Sequence, residues 1–259
     1  MNYRVTPLLL GDAVVPDVLD VFWSLTKARG ASSVPILAFL IEGTPDGPLL
    51  IDTGMRSAER AQEVHGLGPH NVPDDQTIPA QLEKHGYAPE DIKYCHLTHL
   101  HYDHAGGCNL LPNARFVLQR TELMAAAAPM GPEQLDIGGK GLFFDRADVA
   151  DLVDPLWSRV DLMEGDYEPY PGIRCVLYAN SHTPGHQCIY VETADGIVAI
   201  IGDIARKLDL NIEQEILPGI YYDLDSMRRA LIDIKSKANV ILPTHDWNVL
   251  PGGKPEGVD

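Results

Sequence analysis

Thr98-His99-Leu100-His101-Tyr102-Asp103-His104-Ala105-Gly106-Gly107 places three imidazoles and one carboxylate within six residues. Upstream, Ile92-Lys93-Tyr94-Cys95-His96-Leu97 reads as a strand, and Gly106-Gly107 reads as a turn. The cluster therefore sits on a loop leaving the end of a strand. Side chains alternate faces in extended chain, so His99 and His101 point the same way and can grip one ion. Asp103 and His104 lie past the bend and can reach a second ion beside it. Neutral imidazole and carboxylate suit Zn, Mn, Fe or Co, and without a Cys the cluster is no structural zinc knot. A merely polar turn would leave these side chains repelling one another or unsatisfied.

The pattern is H-x-H-x-D-H, and on it the chain resembles the metallo-β-lactamase superfamily. Further motifs of that family follow in order. Leu50-Ile51-Asp52-Thr53-Gly54 matches an early strand end. Ser181-His182-Thr183-Pro184-Gly185-His186 matches the segment that supplies a third histidine. Ile201-Gly202-Asp203 matches the strand end with a bridging carboxylate, and Pro243-Thr244-His245-Asp246 matches the last ligand. The resemblance implies an α/β protein, a single-domain αβ/βα four-layer sandwich with a two-metal hydrolytic site. It implies two divalent ions, zinc foremost. His99, His101 and His186 would hold one, Asp103, His104 and His245 the other, with Asp203 between them. Asp52 would hold a ligand imidazole through its other nitrogen. His182 is left as a donor behind the ligands or a structural histidine. A hydroxide shared by the metals would attack a carbonyl, and Asp103 would shuttle a proton to the leaving group.

The flanks narrow the branch. Tyr102, Val117-Leu118-Gln119-Arg120-Thr121-Glu122, Gly165-Asp166-Tyr167-Glu168, Pro184-Gly185-His186-Gln187, Tyr190-Val191-Glu192-Thr193 and Tyr222-Asp223 look like the N-acyl homoserine lactonases, the quorum-quenching lactonases. Those enzymes open a lactone ring to a hydroxy acid. The chain departs from them three residues after Asp203, where a substrate-contacting tyrosine gives way to Arg206. A guanidinium there offers a fixed fork for a carboxylate or polarised carbonyl, so a smaller anionic or aromatic lactone becomes a rival substrate. The alternative for Arg206 is a surface salt bridge. Hydrolysis of another small cyclic ester or amide, a glyoxalase-type thioesterase, and a metal-binding protein without turnover remain as rival functions.

Composition sets outer bounds. The 259 residues carry a formal charge of −17 and are 45% hydrophobic, enough for a sizeable core. Such an acidic chain disfavours nucleic acid and anionic membranes, and also a thioesterase for anionic glutathione conjugates. No run of about 18 apolar residues suggests a membrane span, and Met1 to Pro7 does not read as a signal peptide. The four cysteines, Cys95, Cys108, Cys175 and Cys188, form no C-x-x-C pair. Cys95 and Cys188 read as core residues, and the set fits a reducing, cytoplasmic location. The expected partner is a small-molecule lactone, with the chain a monomer or homodimer.

The remaining elements read as follows. Asn2–Leu10 is a strand and residues 12–33, with Phe22, Trp23, Lys27 and Arg29, are irregular. Val34–Ile41 and Leu49–Asp52 form a hairpin around Pro45-Asp46-Gly47-Pro48. Arg56–Gly66 is helical, and His65 and His70 read as surface histidines. Thr77 caps a helix running to His85. Arg115–Gln119 is a strand and Arg120–Ala128 a helix. Residues 129–158, with Gly138-Gly139-Lys140-Gly141 and Phe143-Phe144, read as an irregular insertion over the metal site. Strands follow at Arg159–Met163, Ile173–Tyr178, Gln187–Glu192 and Ile197–Ile201. Asp223 caps an amphipathic helix to Ala238, and Val240–Leu242 delivers His245. The hydrolase domain spans residues 1–250, with 251–259 a flexible tail.

Overall fold

Alternation of large apolar side chains along two consecutive strands sets the architecture. β1 (Arg4–Pro16) and β2 (Ala31–Glu42) pair antiparallel. On β2, Leu37, Phe39 and Ile41 face one core, while Ala38 and Leu40 face another. β3 (Leu49–Ile51) closes the expected hairpin, β4 (His70–Asn71) lines the far edge, and β5 (Tyr94–His96), β6 (Arg115–Gln119) and β7 (Val160–Met163) add in parallel. The seven-stranded order is β4-β1-β2-β3-β5-β6-β7. The second sheet contains β8 (Tyr167–Tyr170), β9 (Ile173–Leu177), β10 (Gln187–Thr193), β11 (Gly196–Gly202) and β12 (Val240–Pro243), in the order β12-β11-β10-β9-β8. The structure, a computed structural model, describes residues 3–16, 30–66, 68–128 and 143–254. Phe22, Trp23, Lys27, Arg29, the Gly138–Gly141 run and the last residues of the tail lie outside them.

Three apolar layers hold four structural layers together. Between the sheets, Leu37, Phe39 and Ile51 meet Ile173, Ile189 and Ile200. Outside the first sheet, α2 (Ile78–Lys84), α4 (Arg120–Ala127) and α5 (Arg146–Val153) contribute Leu82, Leu123 and Leu152 to a core with Leu40, Leu50 and Phe116. Outside the second, α6 (Leu224–Lys237) buries Met227, Ala230, Leu231 and Ile234 against β10 and β11. α1 (Ala58–His65) lies near β4, and the single turn α3 (Tyr102–Ala105) carries part of the histidine cluster. This is the αβ/βα sandwich, two mixed sheets with helices in one domain. No described helix is long and apolar enough to cross a membrane.

Several boundaries differ from the sequence reading. β1 continues past Leu10 because Gly11, at φ +121°, absorbs a register shift between Leu9 and Asp12 instead of ending the strand. β2 correspondingly starts at Ala31, inside the stretch expected to be irregular. β8 was missed between its neighbours. Pro169 obscures it, yet proline is tolerated because β8 is the sheet's edge. The described part of 129–158 is not irregular throughout. Asp145 accepts from Ala147 N and caps α5, whose Val149 and Leu152 enter the core.

The topology converges on one rim. β3 ends at Asp52, β5 at the histidine loop, β11 at Asp203 and β12 at His245, all at carboxyl ends of strands paired in parallel. Ligand-binding side chains of open α/β sheets collect at such ends.

Candidate metal centre

The histidine loop is fixed from below by one carboxylate. Asp52, itself at φ +62°, accepts from Thr98 N at 2.7 Å, from Thr98 Oγ1 at 2.8 Å and from His104 Nδ1 at 2.9 Å. Thr98 therefore gives its hydroxyl proton to Asp52 and accepts from His99 Nδ1 at 3.0 Å. Both imidazoles thus keep a lone pair on Nε2. His245 Nδ1 donates to Pro35 O at 2.8 Å, and His182 Nδ1 donates to Ile220 O at 3.3 Å. Their Nε2 lone pairs also face inward. The outer partners have set four tautomers, all the same way.

The inward nitrogens meet without enough protons to satisfy them. His99 Nε2 and His182 Nε2 each stand 3.1 Å from His101 Nδ1, which could donate to only one of them. His104 Nε2 and His245 Nε2 are buried and lack a hydrogen bond. His104 Nε2 lies 3.4 Å from Asp203 Oδ1, and His245 Nε2 lies 3.1 Å from the same oxygen and 3.3 Å from Asp103 Oδ2. Three donor groups result: His99, His101 and His182; His99, His104 and Asp203; Asp103, His104 and His245. Converging imidazole lone pairs beside two carboxylates fit divalent cations, and the absence of thiolate suits Zn, Mn, Fe or Co. These clusters are consistent with a dinuclear centre.

Electrostatics agree with that fit. Burial, then crowding by neighbouring imidazoles, holds His99 and His101 well below the usual histidine range, and burial brings His182 down to about 4. All three are neutral donors near pH 7. Burial also opposes charge on His104, but Asp103, Asp203 and Asp52 outweigh it and raise the group well above normal. The locus between those carboxylates calls for positive charge. Burial would raise the Asp203 carboxyl, yet His245, Arg206 and His104 hold it well below the carboxylate range.

Six of the seven predicted ligands come together: His99, His101, Asp103, His104, Asp203 and His245. His186 does not. Its Nε2 donates to Ile201 O at 2.9 Å, and it joins none of the donor groups. His182, four residues earlier in the Ser181–His186 loop, presents the third nitrogen instead. The motif holds two histidines, and spacing alone does not say which one turns inward. The decisive difference is Nδ1 of His182 against Ile220 O, a contact from residues far downstream.

Asp203 is placed by its neighbours. It follows Gly202, at φ +53°, where a Cβ would meet His186 Cε1 at 2.7 Å and Thr98 Oγ1 at 2.9 Å. Its Oδ1 accepts from Thr244 Oγ1 at 2.6 Å and its Oδ2 from Arg206 Nη1 at 2.8 Å. Arg206 is 3% exposed, so it is no surface salt bridge. It lines a cavity above the cluster together with Val34, Ile36, Tyr102, Phe143 and Ile220.

Sequence reasoning missed the supports. Glu122 straps two ligand loops together, accepting from Leu100 N at 3.0 Å and Gly185 N at 2.8 Å. A buried acid in the apolar stretch after β6 was the available signal. His65 and His70, read as surface histidines, are buried. His65 stacks on Tyr102 with ring centroids 4.1 Å apart, and His70 Nε2 meets the Tyr102 hydroxyl at 2.8 Å. Tyr102 is a large buried ring with a hydroxyl needing a partner, and these two histidines supply its surroundings. Phe143 and Phe144 approach His101, with ring centroids at 5.1 and 4.9 Å.

The family model described as the metallo-beta-lactamase superfamily matches residues 33–245. N-acyl homoserine lactonase AiiA of Bacillus thuringiensis subsp. kurstaki is 30% identical over 227 residues, covering 83% of this chain and 82% of its own. N-acyl homoserine lactonase AttM of Agrobacterium fabrum is 28% identical over 243 residues, covering 90% and 87%. A solved N-acyl homoserine lactone hydrolase with the product N-hexanoyl-L-homoserine at its catalytic metal center superposes with a TM-score of 0.76. It is 27% identical, and the match covers 96% of this chain and 95% of that one.

Proposed function

The chain belongs to the metallo-β-lactamase superfamily, and on that premise we propose that it is a dizinc hydrolase that opens a lactone ring to a hydroxy acid. The observation that carries the reading is the chain of three donor groups linked through His99 and His104, with Asp203 against His104, His182 and His245, beneath a cavity of mixed polar and apolar lining that includes Arg206. Its relatives named as N-acyl homoserine lactonases support the reaction class. His99, His101 and His182 would hold one ion, and Asp103, His104 and His245 the other, with Asp203 shared. Two such cations would supply Lewis acidity for an ester carbonyl and a water of lowered pKa.

The chain's own groups do the rest. Asp52, Thr98, Pro35 O and Ile220 O hold the imidazoles in the tautomer that leaves lone pairs inward. Asp103 lines the cavity and can carry a proton to the oxygen released as the ring opens. Tyr102, Phe143, Val34 and Ile36 give the substrate an apolar seat and exclude water. Arg206 faces the same cavity and can receive a carboxylate or carbonyl oxygen. That favours a small anionic or aromatic lactone over a long-chain neutral one.

A panel of lactones assayed by proton release, with metal content measured alongside, tests the proposal. About two divalent ions per chain and rapid turnover of at least one lactone are expected. Turnover of glutathione thioesters with no lactone hydrolysed would overturn the ring-opening assignment. Intact activity with metal content near zero would overturn the dinuclear one.

A further inference from the structure

A second cavity, of about 280 Å³, opens between the edge strands of the two sheets. Among the described residues it shares no lining residue with the cavity above the metal centre. Tyr94, Tyr167 and Tyr170 supply aromatic walls, His96 is buried at its side, and Asp46 and Asp161 bring carboxylates. Its size suits a ligand of roughly ten heavy atoms, near the small end of natural pockets.

The polar groups lining it are not equally satisfied. Both oxygens of Asp161 are taken by Arg115. Among the described residues Asp46 accepts only from the Tyr170 hydroxyl, at 2.9 Å, and pairs with no lysine or arginine. No described lining residue is a lysine or arginine. His96 is 2% exposed, and its Nδ1 faces the Tyr167 hydroxyl at 3.0 Å and Cys175 Sγ at 3.3 Å. Its Nε2 has no hydrogen-bond partner among the described residues, and the residue lines the cavity. Burial pushes His96 down to about 4, so near pH 7 the ring is neutral and can offer a lone pair.

We propose that this cavity binds a small organic ammonium ion with an apolar or aromatic body. An uncompensated carboxylate, tyrosine faces and an unpartnered imidazole nitrogen, in a chain of charge −17, together select a cation that can also donate a hydrogen bond. Asp46 takes the charge, the tyrosine rings take the organic body and the faces of the cation, and His96 Nε2 accepts an N–H. The His96 tautomer that donates from Nδ1 to the Tyr167 oxygen leaves Nε2 ready for that role. The inference is independent of the lactonase reading, because none of these groups belongs to the metal centre.

The test uses the metal-loaded protein and four probes of similar size: benzylammonium, benzyltrimethylammonium, benzyl alcohol and benzoate. Binding is read by calorimetry and saturation-transfer NMR at low salt. Both cations should bind at least about fivefold more tightly than benzyl alcohol, in keeping with one cation–π and one ionic contact. Asp46→Asn should remove that advantage, and Tyr94→Leu should weaken both cations. His96→Leu should weaken benzylammonium more than benzyltrimethylammonium, which has no N–H to donate. Metal content and lactone turnover should be unchanged in Asp46→Asn and Tyr94→Leu. The proposal fails if benzyl alcohol or benzoate binds as well as the cations, or if the cation advantage survives Asp46→Asn. It also fails if neither cation binds below about 10 mM, a free energy weaker than about −3 kcal/mol.

Discussion

His182 and His186 sit four residues apart in one loop and do opposite things. The first offers Nε2 to the cluster, while the second spends its Nε2 on Ile201 O. His182→Ala should therefore lower metal content by about one ion per chain, since three donors become two at one position. His186→Ala should retain the metal and lose stability by about 1–3 kcal/mol, for the lost hydrogen bond and the space the buried ring leaves, since Ile201 O keeps Ile204 N and Cys188 Sγ. Equal metal loss in both variants would refute the distinction. Arg206 carries the specificity prediction. A bidentate charge-assisted contact is worth on the order of 1.5–3 kcal/mol, roughly 10- to 150-fold in affinity. Arg206→Ala should raise KM on the best anionic lactone by about that factor when compared per metal-loaded chain, since it also frees Asp203 Oδ2. A change in kcat/KM of less than about twofold would remove Arg206 from the substrate site. At this scale the sequence was readable where residues crowd together. His99, His101, Asp103 and His104 declare themselves by spacing. The choice between His182 and His186, and the roles of His65, His70 and Glu122, depend on partners distant in the chain.

Strands and helices were legible where burial follows a period, and obscured where a breaker residue is absorbed by tertiary structure. β2 and α6 are of the first kind. Gly11 in β1 and Pro169 in β8 are of the second. α5 was lost for a related reason: it reads as charged, yet its acids are internal partners. Asp148 and Asp151 take Arg56, and Asp145 takes Arg60, so α5 is clamped to α1 and the segment before it. The clamp has a pH signature. Burial, with the nearby Asp145 charge, outweighs Arg56 and raises Asp148 to about 6. A carboxyl raised in the folded state contributes stability below its unfolded pKa near 4, and loses it as pH rises through about 6. Asp148→Asn cannot titrate. Relative to the parent protein, its stability should rise by about 1–2 kcal/mol from pH 5 to 7.5, because only the parent loses the Asp148 contribution. Denaturant unfolding at those two values checks this, and a constant difference would show that Asp148 is ionised throughout. Glu122 makes a second prediction at this scale, because it ties the loop after β5 to the loop before β10. Glu122→Ala would leave two buried amides unpaired, destabilising the protein by about 2–5 kcal/mol and loosening both donor sets. A variant with unaltered thermal midpoint would show that the strap is dispensable.

For the whole molecule, the layered arrangement and its charge pull in different directions. The four layers gather seven buried donor side chains at one rim, where local positive charge from bound cations and Arg206 would receive a substrate. The chain as a whole carries a formal charge of −17. An anionic lactone must therefore cross a repulsive field before it reaches an attractive centre. The two have different ranges. The centre is buried and weakly screened, whereas the surface field is spread out and readily screened by salt. Raising ionic strength from about 10 mM to about 150 mM shortens the Debye length from roughly 30 Å to roughly 8 Å. The kcat/KM for an anionic lactone should then rise, by roughly two- to tenfold, while that for a neutral lactone of equal size stays level. The comparison of two substrates on one enzyme cancels any effect of salt on the metals or on stability. If the anionic substrate is slowed by salt instead, its capture is governed by positive charge at the rim rather than by the acidic surface. If both substrates respond alike, charge plays no part in selection, and the apolar seat formed by Val34, Ile36, Tyr102 and Phe143 must set the preference.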